Sequence, residues 1–129
     1  GRLAFAAARD ALRVYASEPC DRLREYMRDR IAKSGITNMK VLDGTATCLP
    51  YEDATFDAVM SGHVVGDDYE GELREMRRVT RPGGWLVVCN GDDGFRRTRP
   101  DPELIRRGFE AFRHESPSGG VIFNYRLRV

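Results

Sequence analysis

The stretch FDAVMSGHVVGDDYEGELREMRRVTRPGGWLVVC, residues 56–89, reads as a strand, a helix and a second strand. FDAVMSG (56–62) is short and mostly apolar, entered through Phe56 and Asp57. Asp67 and Glu70 are spaced as a capping box for the helix that follows. Within it Tyr69, Leu73, Met76 and Thr80 recur on one face. RPGG (81–84) is a turn signal. WLVVC (85–89) is apolar nearly throughout, which suits a parallel strand covered on both faces. Such a unit is the repeating element of an open α/β sheet.

The flanking segments continue the alternation. Upstream, residues 2–11 predict an Ala-rich helix, and LRVYASE (12–18) predicts a strand ending in an acid. A helix from Pro19 to about Ser34 follows, with Leu23, Met27 and Ile31 on one buried stripe and Gly35 as its stop. MKVLDG (39–44) is a short strand, and residues 45–55 are a loop broken by Pro50. Downstream, Asp101 caps a short helix with Pro102 at its first position. The strands GFEAFRHES and GGVIFNYRLRV then form a hairpin around PSGG, with Val121, Phe123, Tyr125 and Leu127 on one face. The expected fold is a doubly wound α/β sheet, mostly parallel, with a C-terminal antiparallel hairpin. Ligands in such sheets bind at the carboxyl ends of the parallel strands. That directs attention to Gly1, Glu18 and the segments 43–46, 61–66 and 89–94.

A chain of 129 residues suits one domain, residues 1–129. With 41% hydrophobic and 32% charged residues it is globular in composition. A net charge of +1 argues against a strongly basic nucleic-acid binder. The longest apolar run, LAFAAA (3–8), falls far short of the roughly 20 residues that span a bilayer, so no membrane partner is expected. Cys20, Cys48 and Cys89 form no C-x-x-C pair and suggest neither a zinc site nor a disulfide frame. A reducing, cytoplasmic setting is the simplest expectation.

Gly1 and Glu18 make the first chemical pair. A glycine turn at a helix N-terminus lets backbone N–H groups approach a polar ligand. An acid at the tip of the next strand accepts hydrogen bonds from ribose hydroxyls, about 20 residues beyond the glycine. Here the separation is 17. Any surface strand can also end in Glu.

Further residues carry a resemblance. Gly44, Leu49–Pro50, Phe56–Asp57, Glu75, Arg78–Val79 and Pro82–Gly84 follow in the order found in class I S-adenosylmethionine-dependent methyltransferases. The chain resembles that family up to about residue 90, with a closing hairpin that also fits. The resemblance implies a Rossmann-like fold and S-adenosylmethionine as cofactor. It also implies an enzyme that methylates a small molecule, since no appended domain for a macromolecular substrate is evident. Gly1 then resembles the last glycine of the family's first loop. The sequence would be a fragment lacking the first central strand. Two inner edges would be unpaired, so that segments 12–18 and 56–62 either close up or fold poorly, and cofactor binding by the fragment would be weak.

Carried over by position, Glu18 resembles the ribose-binding acid and Pro19 lines the adenine pocket. Thr45 stands where many members have Asp, so adenine contact rests on main-chain groups of Thr45 and Ala46, with Asp43 a substitute if the turn differs. Ser61, Gly62 and His63 follow the strand at which the family meets the cofactor's amino group and the substrate. His63 has two open roles: a general base of suitable pKa, or a cap on the strand end. Arg96, Arg97 and Arg99 either recognise an acidic substrate or form a solvated loop; Asn90, Asp92 and Asp93 share that loop. Cys48, Cys89 and Trp85 are expected to pack. Two rival functions remain at this point: a non-catalytic scaffold, and a nicotinamide-dependent oxidoreductase. The second does not predict the Leu-Pro, Phe-Asp and Pro-Gly-Gly series.

Overall fold

The computed structural model describes residues 1–90 and 98–129. The chain divides into two compact units, Gly1–Pro50 and Tyr51–Val129.

The first unit runs α1 (Arg2–Ala7), β1 (Val14–Ser17), α2 (Asp21–Lys33) and β2 (Met39–Leu42). β1 and β2 pair in parallel, Val14 opposite Met39 and Ser17 opposite Leu42. Ala16, Met27, Met39 and Val41 form its core, with Ala4, Phe5, Ile31 and Ile36 packed around them. The expected α2 stripe is therefore shorter than its spacing suggests: Met27 and Ile31 pack, while Leu23 is 50% exposed. The Arg30 guanidinium sits 4.3 Å from the Phe5 ring centroid and joins α2 to α1. Asn38 donates to the carbonyls of Ala8 and Ala11, both at 2.9 Å, and so ties the end of α1 to the start of β2.

The second unit runs β3 (Phe56–Gly62), α3 (Tyr69–Val79), β4 (Thr80–Cys89), α4 (Pro102–Arg106), β5 (Glu110–Glu115) and β6 (Val121–Arg128). Its strands lie in the order β3-β4-β6-β5. β3 and β4 are parallel, and β6 is antiparallel to both β4 and β5. The fold is α/β with mixed parallel and antiparallel pairing. β1 and β3 belong to separate sheets.

The core of this unit is built from Leu73 and Met76 on α3, Leu86 and Val88 on β4, Leu104, Phe109, and Phe123 and Tyr125 on β6. Tyr69 packs against it as its helical spacing predicts, whereas Thr80, also buried, is not on the helix but begins β4. The α3 cap is Asp68, whose carboxylate accepts from the Gly71 N–H at 3.0 Å, rather than Asp67. The capping-box spacing to Glu70 favoured Asp67, but the helix starts one residue later, at Tyr69. Asp101 caps α4 as expected, accepting from Glu103 N–H at 2.9 Å with Pro102 in the first turn.

RPGG proves to be a bulge inside β4 rather than a turn before it. Phe56 pairs with Thr80, and the next partner pair is Ala58 with Trp85. Gly83 has φ +81 and open space around it, while a Cβ on Gly84 would lie 2.7 Å from the Asp57 carbonyl oxygen. One glycine supplies the left-handed backbone and the other the close strand approach.

Glu75 and Arg78 on α3 explain the Glu-x-x-Arg pattern structurally. Arg78 Nε and Nη2 grip the two Glu75 carboxylate oxygens at 2.7 and 2.9 Å. Its Nη1 reaches the Tyr51 carbonyl at 2.8 Å and Asp53 at 2.9 Å. The guanidinium pins the loop before β3 to α3, and these carboxylates raise its pKa further.

Candidate functional site

In the first unit the carboxyl ends of β1 and β2 present Glu18 and Asp43. Glu18 is half-buried and its main chain continues the ladder, its N–H donating to the Leu42 carbonyl at 3.1 Å. Its carboxylate oxygen Oε1 accepts from the Cys20 N–H at 3.0 Å, at the start of α2. A carboxylate there meets the partial positive charge of the helix N-terminus. Among the described residues, the second oxygen has no hydrogen-bond partner. Pro19, between them, is exposed.

Arg24, which sequence reasoning missed, organises this edge. Its Nη1 donates to the Glu18 carbonyl at 2.7 Å and to Asp43 Oδ1 at 3.0 Å, and Nη2 pairs with Asp21. Asp43 thus faces a cation. The available hint was charge placement: a cation in a helix's first turn is disfavoured unless acceptors surround it.

Gly44 follows, with room for no side chain: a Cβ there would sit 2.6 Å from Pro50 Cδ and 3.4 Å from Ser17 Cβ. Thr45 and Cys48 then exchange backbone hydrogen bonds of 3.2 and 3.1 Å. This tight turn holds Thr45 exposed and Ala46 half-buried. Thr45 Oγ1 lies 3.4 Å from Thr47 Oγ1. Gly1 caps α1, and a Cβ on it would lie 3.0 Å from Met27 Cε, so its small size serves helix packing.

In the second unit, Ser61 and Gly62 end β3, opposite Val88 and Cys89. The Ser61 hydroxyl is buried and, among the described residues, has no hydrogen-bond partner. A buried hydroxyl left without a partner costs about 1–3 kcal/mol. His63 is exposed and has φ +59, uncommon for a residue with a side chain. Its N–H donates to the Cys89 carbonyl at 2.9 Å, extending the β3–β4 ladder by one step. Backbone of this kind concentrates at functional turns.

The other expectations divide. Cys48 is exposed rather than packed; Cys89 is half-buried, and burial pushes its thiol pKa up. Trp85 lies outside the core cluster, with the guanidinium groups of Arg126 and Arg128 each 5.2 Å from its ring centroid. Asn90 is half-buried and Arg99 exposed. Asp92, Asp93, Arg96 and Arg97 lie outside the described residues.

A groove of about 440 Å³ opens elsewhere in the first unit, lined by Phe5, Leu12, Ile36 and Asn38 among others. These residues precede β1 and β2, so the groove lies at the amino ends of the strands, opposite to where an α/β sheet binds ligands. Among the described residues no cluster of His, Cys, Asp and Glu could hold a metal ion. Nor is any helix there long and apolar enough to cross a membrane.

Among the described residues, one Glu18 carboxylate oxygen in the first unit and the Ser61 hydroxyl in the second have no hydrogen-bond partner. Residues 1–88 match the family model described as a methyltransferase domain. The chain belongs to this methyltransferase family. It is 42% identical over 99 residues to a demethylmenaquinone methyltransferase of Shouchella clausii, covering 74% of this chain and 40% of that protein. A protein of the same name from Geobacillus stearothermophilus is 34% identical over 79 residues, 60% of this chain and 33% of that protein. The chain thus spans less than half the length of these curated relatives. Among solved structures, a SAM-dependent methyltransferase from Aquifex aeolicus superposes with a TM-score of 0.67 at 22% identity, covering 91% of this chain and 69% of the other. The cyclase SpnF matches with the same TM-score and identity, over 91% of this chain and 51% of its own. At these identities the likeness establishes the fold alone, and a fold does not choose a reaction.

Proposed function

We propose that the protein transfers a methyl group from S-adenosylmethionine to a small-molecule acceptor, with the adenosine part held at the carboxyl edge of β1 and β2. The observation that carries this reading is Glu18: an acid at a strand tip, with one oxygen bound to the helix and the other without a partner among the described residues. That oxygen suits the ribose hydroxyls. Pro19 flanks the base. Thr45 offers a neutral hydroxyl where an acid is common, so main-chain groups of Thr45 and Ala46 supply the adenine contacts. Gly1 offers its backbone to the cofactor at the start of α1.

Bound S-adenosylmethionine supplies an electrophilic methyl on its sulfonium, which an acceptor nucleophile takes by in-line displacement. Positioning and exclusion of water contribute most of the rate in such a step. Ser61 and Gly62 orient polar groups at the end of β3. His63, exposed and held by its backbone bond to Cys89, takes the acceptor's proton where the nucleophile carries one. The named relatives make demethylmenaquinone the first acceptor to assay.

Calorimetric titration of the full-length protein with S-adenosylhomocysteine and with NAD tests the reading. Binding of the first, weakened by Glu18→Ala, is expected. Binding of NAD in preference would replace it with the oxidoreductase reading. Binding of S-adenosylhomocysteine without turnover of any acceptor would favour a scaffold.

A further inference from the structure

Arg24 sits in the first turn of α2, yet its side chain is only 11% exposed. Its three acceptors come from three different places: the carbonyl of Glu18 just past β1, the carboxylate of Asp43 just past β2, and Asp21 on the helix itself. A single nitrogen, Nη1, serves both strand ends, at 2.7 and 3.0 Å. We infer that Arg24 is a positioning residue for ribose recognition, locking the main chain of Glu18 so that its remaining carboxylate oxygen is presented at a fixed place. The inference rests on the proposed reading of Glu18 as the ribose acceptor.

Glu18 is held from three sides. Its N–H is bound to Leu42 at 3.1 Å, its carbonyl to Arg24 at 2.7 Å, and Oε1 to Cys20 at 3.0 Å. The carbonyl of a residue just past a strand has no ladder partner of its own, so the guanidinium replaces the missing neighbour. Arg24 also neutralises Asp43, the other acid on this edge, and leaves Glu18 as its hydroxyl acceptor. A planar guanidinium can bridge these groups simultaneously, whereas a lysine ammonium offers one point charge. Preorganising an acceptor in this way strengthens binding by lowering the ordering cost.

The test is the preference of the full-length protein for S-adenosylhomocysteine over the analogue lacking both ribose hydroxyls, read by calorimetry. The wild-type protein is expected to prefer the hydroxylated ligand. Arg24→Gln should cut that preference by about tenfold while leaving affinity for the analogue unchanged. Arg24→Lys should fall between, and it carries the test if Arg24→Gln does not fold. Asp43→Asn, which leaves the Arg24–Glu18 bond in place, should keep the preference. Equal loss of both affinities, or loss of neither, would show that Arg24 merely holds α2 in place and would overturn the inference. A wild-type protein without any preference would overturn the reading of Glu18, and the inference with it.

Discussion

The carboxylate of Glu18 accepts a hydrogen bond from the Cys20 amide at 3.0 Å, so the acid just past β1 is tied to the N-cap residue of the helix that follows it. One side chain therefore serves both the fold and the proposed ligand, and the two services are separable. Glu18→Gln keeps an oxygen for the Cys20 amide but removes the charge. Its melting temperature should stay near wild type while S-adenosylhomocysteine affinity falls by about tenfold or more, as for loss of a charged hydrogen bond. Unchanged affinity in calorimetry would remove Glu18 from the site.

His63 combines an exposed side chain with φ +59. Asn tolerates that backbone well, so His63→Asn should alter stability by less than about 0.5 kcal/mol in chemical denaturation. If the imidazole is the base, kcat should drop by about a hundredfold. A variant with wild-type kcat would leave His63 as a strand cap.

The two glycines of the β4 bulge should respond unequally to alanine. At Gly84 a methyl would meet the Asp57 carbonyl oxygen and Thr80 Cγ2, both at 2.7 Å, with Arg81 oxygen at 2.9 Å. Overpacking against backbone costs about 2 kcal/mol or more. Gly83→Ala meets open space but must adopt φ +81, a penalty of about 1 kcal/mol. Denaturation midpoints that rank the two variants in the opposite order would contradict the bulge geometry.

Thiol chemistry should distinguish the cysteines. Cys20 and Cys48 are exposed, whereas Cys89 is half-buried with its pKa raised by burial. Maleimide labelling followed by mass spectrometry should modify the first two early at neutral pH, with Cys89 lagging and catching up under alkaline conditions. The sign for stability is the same: burial favours the neutral thiol, so this contribution is present below the unfolded pKa and lost as pH rises through the higher folded value. Early labelling of Cys89 at neutral pH would place it in a different environment.

Local rules made much of this protein legible. The strand Phe56–Gly62 and the helix from Asp101 follow from apolar runs and capping chemistry, which act over a few residues. The family pattern was equally readable, because its pieces are short and ordered along the chain. Glu18 stood out as an acid ending a strand. What stayed hidden depends on register. Leu23 has the spacing of a buried position but points off the small sheet, and Trp85 is placed by its pairing with Arg128 on β6.

The sequence by itself determined the order of strands and helices, the family, and the identity of the strand-end residues. Tertiary structure decided what those residues touch. Glu18, Arg24 and Asp43 converge because parallel pairing of Ser17 with Leu42 brings two strand ends together, and the helix between them returns an arginine to both. Periodicity encodes which face of an element is apolar. It does not encode the register between elements distant in sequence, and the hydrogen bonds that complete the site depend on that register.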